Sequence, residues 1–145
     1  ERLIEGREIT CGLVDAGHGL RPLPIIEIIA AGGTYDYAAK YDRDDTAYLI
    51  GPHAAPDVDH GAVQHDACRL AEALGVRHLA RADFMVDAAG RHYLLEINTM
   101  PGFTSHSLLP KAAAATGTAM GELCAGLCTL AMARHSSSKP DPVES

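Results

Sequence analysis

The stretch at residues 78–110, HLARADFMVDAAGRHYLLEINTMPGFTSHSLLP, constrains this chain more than any other. Two runs rich in Leu, Phe, Val, Tyr and Ile, HLARADFMV and RHYLLEIN, flank Asp87, Ala88, Ala89 and Gly90, a breaker-containing turn of hairpin length. Side chains alternate faces along a strand. Arg81, Asp83 and Met85 are therefore expected on one face of the first strand, and Leu94, Glu96 and Asn98 on one face of the second. Phe84, Val86, Tyr93, Leu95 and Ile97 are expected to point the other way. An even number of turn residues sets Asp83 and Glu96 on a shared face, within reach of one ion, whereas an odd number separates them.

Two carboxylates and an amide carbonyl are hard oxygen ligands, suited to Mg²⁺ or Mn²⁺ that takes further oxygens from a phosphate. No Cys or His partner stands at zinc spacing. Arg81 beside such a site places fixed positive charge where phosphoryl or oxyanion charge accumulates. The competing reading is an amphipathic hairpin whose polar face is simply wet, and D…E-x-N alone does not decide between them. After Asn98, Pro101 and Gly102 break the strand, and Thr99, Thr104, Ser105 and Ser107 surround a turn rich in N–H and hydroxyl donors.

The run R-A-D followed by E-I-N-T-x-P-G-x-T-S-H-S-L-x-P resembles the C-terminal part of the D-alanine:D-alanine ligases, members of the ATP-grasp superfamily. A second stretch, Y-D-Y-x-A-K-Y at residues 35–41, is similar to that family's loop closing over ATP and substrate. The resemblance covers nearly all of residues 1–133. It implies an α+β fold, a largely antiparallel sheet flanked by helices, forming a C-terminal ATP-grasp subdomain over residues 1–135.

Site roles are implied residue by residue. Asp83, Glu96 and Asn98 hold two Mg²⁺ (or Mn²⁺) ions, with Glu96 bridging. Arg81 and the backbone N–H of Gly102 face the transferred phosphoryl group and the tetrahedral oxyanion. Ser107 and Lys40 grip the carboxylate of a second D-alanine, Lys40 also touching the ATP phosphates. Tyr41 favours dipeptide over depsipeptide synthesis. Glu8 holds the ribose hydroxyls of ATP, and Arg2, Leu3 and Ile4 form the hinge whose backbone meets adenine.

The implied activity is ATP-dependent joining of two D-alanines through an acyl phosphate, for peptidoglycan precursors. The family's N-terminal and central phosphate-covering subdomains have no counterpart in these 145 residues, so the chain alone is expected to fold without turning over substrate. A different carboxylate–amine ligase of the same superfamily, or a non-catalytic nucleotide- or metal-binding module, is the alternative. Homodimerisation of the full-length protein is left open.

Composition sets the remaining bounds. A chain of 145 residues is one domain's worth, able to bury about 70% of its unfolded surface. With 47% apolar residues, 5% aromatic and no Trp, the core is expected to be Ala, Leu, Ile and Val. A net charge of −7 without a Lys/Arg run argues against a nucleic-acid partner. No signal peptide or run of 18 apolar residues argues for a membrane, so a cytoplasmic location is expected. Cys11, Cys68, Cys124 and Cys128 form no C-x-x-C pair and read as buried thiols in a reducing compartment; the i,i+4 pair Cys124 and Cys128 is only weak support for a metal. The His residues form no zinc-protease pattern. The chain opens on Glu1 rather than Met, so an excised domain or incomplete sequence is expected.

Along the chain, residues 7–14 read as a half-buried strand, 15–22 as a plain Gly-rich loop, and 23–29 as a second strand antiparallel to the first. Residues 31–52 read as a long lid-like loop. Asp59 is expected to cap a helix over 60–74, with Gly75 ending it. Further helices are expected over 108–115 and 119–133, the latter packed on the sheet. The tail at 136–145 has the composition of a disordered segment.

Overall fold

The computed structural model describes residues 3–29 and 46–137. Its centre is β1 (Arg7–Asp15), whose Ile9, Cys11 and Leu13 are fully buried. Antiparallel neighbours lie on both sides: β5 (Leu79–Val86) pairs along nearly all of β1, from Arg7 with Val86 to Val14 with Leu79. On the other side β3 (Ile26–Ile29) pairs with Glu8, Ile9 and Thr10, as expected for the second strand. Beside it β2 (Leu20–Pro22) pairs with Leu13, Val14 and Asp15. β4 (Ala47–Ile50) lies outside β3, and β6 (His92–Asn98) outside β5, giving the order β4-β3-β1-β5-β6 with β2 against β1.

Two stretches read as loop therefore contain strand. Residues 15–22 form a hairpin end in which the Asp15 carboxylate accepts from the Gly17 and Gly19 amides, and Leu20–Pro22 continues the ladder. The long loop at 31–52 ends in β4, followed by a 3₁₀ turn at Gly51–His53. Residues 30–45 lie outside the described residues.

Helix α1 (His60–Ala73) begins where expected, the Asp59 carboxylate accepting from the Ala62 amide at 3.0 Å. It stops at Gly75, whose φ of +64° only glycine adopts freely, and the Val76 amide reaches back to the Ala71 carbonyl. Its Val63, Ala67 and Ala71 pack on Ile9, Cys11, Leu13, Phe84 and Val86, making one face of the sheet the main core. Leu74, expected in that apolar stripe, is exposed at the helix end.

The opposite face is divided. Helix α2 (Leu108–Ala114) covers its β3–β4 half, Leu108 and Ala112 packing on Ile26 and Ile28. Helix α3 (Met120–Ser137) packs through its first turns on α2 and on the edge of the sheet: Leu123 joins Leu109 and Ala113, with Leu127, Val14 of β1 and Leu79 of β5 around them. Its far end is exposed, including Met132. The helix extends two residues into the segment read as tail; residues 138–145 lie outside the described residues. Only Cys11 among the thiols is buried; Cys68 and Cys124 are half-buried and Cys128 is exposed, and all are free.

Candidate functional site

The β1–β5–β6 half of the second face carries the polar side chains. Register pairs residues across the strands, and directly opposed residues share a face. One rung is Thr10, Asp83 and Glu96; the next is Gly12, Arg81 and Asn98; on the other side lie Glu8, Met85 and Tyr93. Arg81, Asp83, Glu96 and Asn98 are thus brought together on two adjacent rungs.

They come together by a route the alternation pattern did not anticipate. β5 ends at Val86 and β6 starts at His92, so the turn is residues 87–91, an odd number that would separate Asp83 from Glu96. A register shift between Asp83 and Phe84 compensates. Phe84 pairs with Leu94 while Asp83 pairs with Glu96, which leaves Leu95 as an extra residue, a β-bulge. In consequence Tyr93 lies on the Asp83 face and Leu94 on the Phe84 face, the reverse of expectation.

The turn itself is strapped by Asp87. Its carboxylate accepts from the Ala89 and Arg91 amides, the Arg91 guanidinium and the Tyr93 hydroxyl. The Arg91 guanidinium, ahead of the backbone amides and the Tyr93 hydroxyl, holds the Asp87 carboxyl down to about 2.

Asp83 is the most constrained group of the site. It is 5% exposed, and Arg81, at 7%, grips it as a fork: Nε to Oδ1 at 2.9 Å and Nη2 to Oδ2 at 2.7 Å. Thr10, 1% exposed, donates its hydroxyl to Oδ1 at 2.5 Å. Glu96 is different in kind. Its side chain is 56% exposed and lies 3.9 Å from Arg81, so it faces the open side.

Asn98 turns the chain into the following loop, its side-chain oxygen accepting from the Met100 amide at 2.9 Å. The Ser107 hydroxyl closes that loop, accepting from the Thr104 amide at 3.0 Å. Gly102 and Ser107 are brought into contact, since a Cβ on Gly102 would lie 3.0 Å from the Ser107 Oγ. Leu3 and Ile4 line a cleft of about 1020 Å³ between residues 3–5 and the hairpin turn, bordered by Tyr93. That volume is in the range of small-molecule sites. Glu8 lies on the Tyr93 rung, on the same sheet face. Arg2, Lys40 and Tyr41 lie outside the described residues.

The donor set fits a divalent cation by its chemistry. Two carboxylates oppose each other on one rung and an amide oxygen follows on the next. No group of three or more His, Cys, Asp or Glu suited to a metal occurs among the described residues. A cation held here would complete its shell with water or substrate oxygens, as Mg²⁺ does. Sequence reasoning missed Thr10, whose only signal was its alternation with Glu8 along β1.

A family model described as "D-ala D-ala ligase C-terminus" matches residues 1–129. The chain belongs to this family. The D-alanine–D-alanine ligase of Bordetella petrii is 46% identical over 127 residues, covering 88% of this chain and 39% of the relative. That of Syntrophotalea carbinolica is 47% identical over 123 residues, 85% of this chain and 38% of the relative. The chain therefore spans about two fifths of the curated relatives it matches.

Among solved structures, the Bacillus anthracis D-alanine–D-alanine ligase complexed with ATP superposes with a TM-score of 0.75 at 29% identity, covering 96% of this chain and 42% of that one. The VanG D-Ala:D-Ser ligase of Enterococcus faecalis gives 0.68 at 29% identity, covering 90% and 37%. The antiparallel sheet with its helices is the C-terminal ATP-grasp arrangement of the D-Ala–D-Ala ligase family. No helix among the described residues is long and apolar enough to cross a membrane.

Proposed function

We propose that this chain is the C-terminal ATP-grasp part, residues 1–135, of a cytoplasmic ATP-dependent ligase that joins two D-alanines for peptidoglycan precursor synthesis. The observation that carries the reading is the pair of rungs setting Arg81, Asp83, Glu96 and Asn98 on one face, Arg81 and Asp83 buried and Glu96 exposed, with the Gly102–Ser107 loop following Asn98. In the proposed reaction the γ-phosphoryl group of ATP passes to the carboxylate of the first D-alanine, giving an acyl phosphate and ADP. The amine of the second D-alanine attacks the acyl carbon, the bond to phosphate breaks, and inorganic phosphate leaves.

Asp83, Glu96 and Asn98 would hold two Mg²⁺ or Mn²⁺ ions, which when bound would neutralise phosphate charge. Arg81 and the Gly102 N–H stabilise charge on the phosphoryl group and the tetrahedral oxyanion. Ser107, with Lys40 and Tyr41, orients the second D-alanine. Glu8 holds ribose, and Arg2, Leu3 and Ile4 form the hinge whose backbone meets adenine, Leu3 and Ile4 lining the cleft. The phosphate-covering parts of the site come from sequence outside these 145 residues, so the chain by itself does not turn over.

The test is ADP release from the longer polypeptide carrying this sequence. D-alanine is expected to stimulate it and L-alanine not; equal rates with both would end the proposal, and D-alanine-dependent ADP release by the 145 residues alone would end the claim of incompleteness. A second reading, a ligase with another acceptor, is favoured by the likeness to a structure named for a D-Ala:D-Ser ligase. Including D-serine and D-lactate in the same assay separates the two. A non-catalytic binding module predicts saturable Mg·ATP binding by the isolated chain in calorimetry, which an incomplete half-site does not show.

A further inference from the structure

We infer that Thr10 is a positioning residue that sets how Asp83 presents its carboxylate to a divalent cation, and thereby which cation the site prefers. The inference rests on the metal-ligand reading of Asp83 proposed above.

An ionised carboxylate has about four lone-pair positions, two on each oxygen. On Oδ1 both are taken, one by the Thr10 hydroxyl at 2.5 Å and one by Arg81 Nε at 2.9 Å. Oδ2 accepts from Arg81 Nη2 at 2.7 Å, with Nε a longer second contact at 3.2 Å. The position remaining for a cation is on Oδ2. Asp83 thus offers a single oxygen in a fixed plane: the Arg81 fork sets the plane, and Thr10 fills the second position on Oδ1. Thr10 is 1% exposed and paired with Asp83 in the ladder, so its hydroxyl has little room to look elsewhere. Its other acceptor contact, the Ala82 carbonyl at 3.3 Å, is longer.

Mg²⁺ demands near-octahedral geometry and gains from a fixed single-oxygen ligand. Ca²⁺ is larger, accepts irregular shells and takes carboxylates through both oxygens. With the Thr10 hydroxyl gone, the Arg81 fork still holds the carboxylate, but one position on Oδ1 is open, so both oxygens can reach one cation, which favours Ca²⁺ relative to Mg²⁺. Partners that orient a metal ligand from behind it are typically worth about 10- to 100-fold in metal affinity.

The test measures cation binding directly, by water-proton relaxation of Mn²⁺ added to the longer polypeptide carrying this sequence, with Mg²⁺ and Ca²⁺ as competitors. Thr10→Val keeps the shape and removes the hydroxyl. It is expected to weaken Mn²⁺ and Mg²⁺ by about tenfold and Ca²⁺ less, so that the Mg²⁺ to Ca²⁺ preference falls; Thr10→Ser, which keeps the hydroxyl, is expected to bind as the parent does. Thermal melts establish that each variant is folded, and Thr10→Cys, a weak donor, carries the same test if the Val variant is not. Asp83→Asn is the control for the underlying reading and is expected to abolish Mn²⁺ binding. Should Asp83→Asn lose the ion while Thr10→Val binds all three cations unchanged, or loses all three by one common factor, the role of Thr10 is overturned and the reading of Asp83 stands. Should Asp83→Asn bind like the parent, or the parent bind no Mn²⁺, the ligand reading falls and the inference with it.

Discussion

Removing either half of the Arg81–Asp83 pair is expected to destabilise the chain far more than removing both. The two side chains are 9% and 7% exposed and joined through two short hydrogen bonds. Asp83→Leu leaves the buried guanidinium with the exposed Glu96, 3.9 Å away, in place of its short two-bond partner, and Arg81→Met leaves a buried carboxylate with Thr10 as donor. Breaking such a pair from one side costs about 3–5 kcal/mol, whereas replacing both partners by apolar groups of similar volume is often close to neutral. The double variant still orphans the Thr10 hydroxyl, a loss of about 1–3 kcal/mol. The low end applies, because the Ala82 carbonyl at 3.3 Å is at hand. The double variant is therefore expected to be more stable than either single one. The assay is urea unfolding of the four proteins followed by far-UV circular dichroism, read as a double-mutant cycle. A cost below about 1 kcal/mol for Asp83→Leu, or additive singles, would refute the claim that this face holds a desolvated ion pair.

Other outcomes follow from local geometry. A Cβ at Gly6 would sit 1.9 Å from the Val86 carbonyl oxygen, so Gly6→Ala is expected to cost about 1–3 kcal/mol and to speed amide exchange where β1 meets β5. The Asp87 carboxyl is depressed from 3.8 to about 2, so its contribution to the hairpin turn is present above pH 3.8 and lost as pH falls through 2. An NMR titration of Asp87 reads this, and a midpoint at the ordinary carboxylate value would contradict it. Burial, with Cys68 nearby, pushes the Cys11 thiol up to about 12. Maleimide labelling followed by mass spectrometry is accordingly expected to modify Cys128 first and Cys11 only on unfolding.

How far the sequence led differs from element to element. Arg81 and Asp83 were readable because strand alternation survives unchanged along β5, and the Asp59 and Gly75 helix ends were readable because both are local backbone chemistry. The pairing of Asp83 with Glu96 came out as expected, but through two departures that offset each other, a five-residue turn and a bulge at Leu95. Periodicity carries no mark of one inserted residue, so Tyr93 and Leu94 were assigned to the wrong faces. The strands β2 and β4 are short and follow Gly-rich or Asp-rich runs, so their ladder bonds depend on β1 and β3 being already in place. In α3 nearly every side is small or apolar, which removes the contrast that would show which face is covered. Thr10 acts across the sheet on a residue 73 positions away, a relation no local pattern expresses.

The measurement closest to the centre of the proposal is the map of Mn²⁺-induced broadening in the amide NMR spectrum of the chain. Signals from Asp83, Glu96 and Asn98, and from Thr10 beside them on the rung, are predicted to broaden first and Asp83→Asn to suppress the effect. Broadening centred instead on the surface cluster of His65, Asp66 and His92, or spread evenly over the acidic surface, would contradict a cation site on the β5–β6 face.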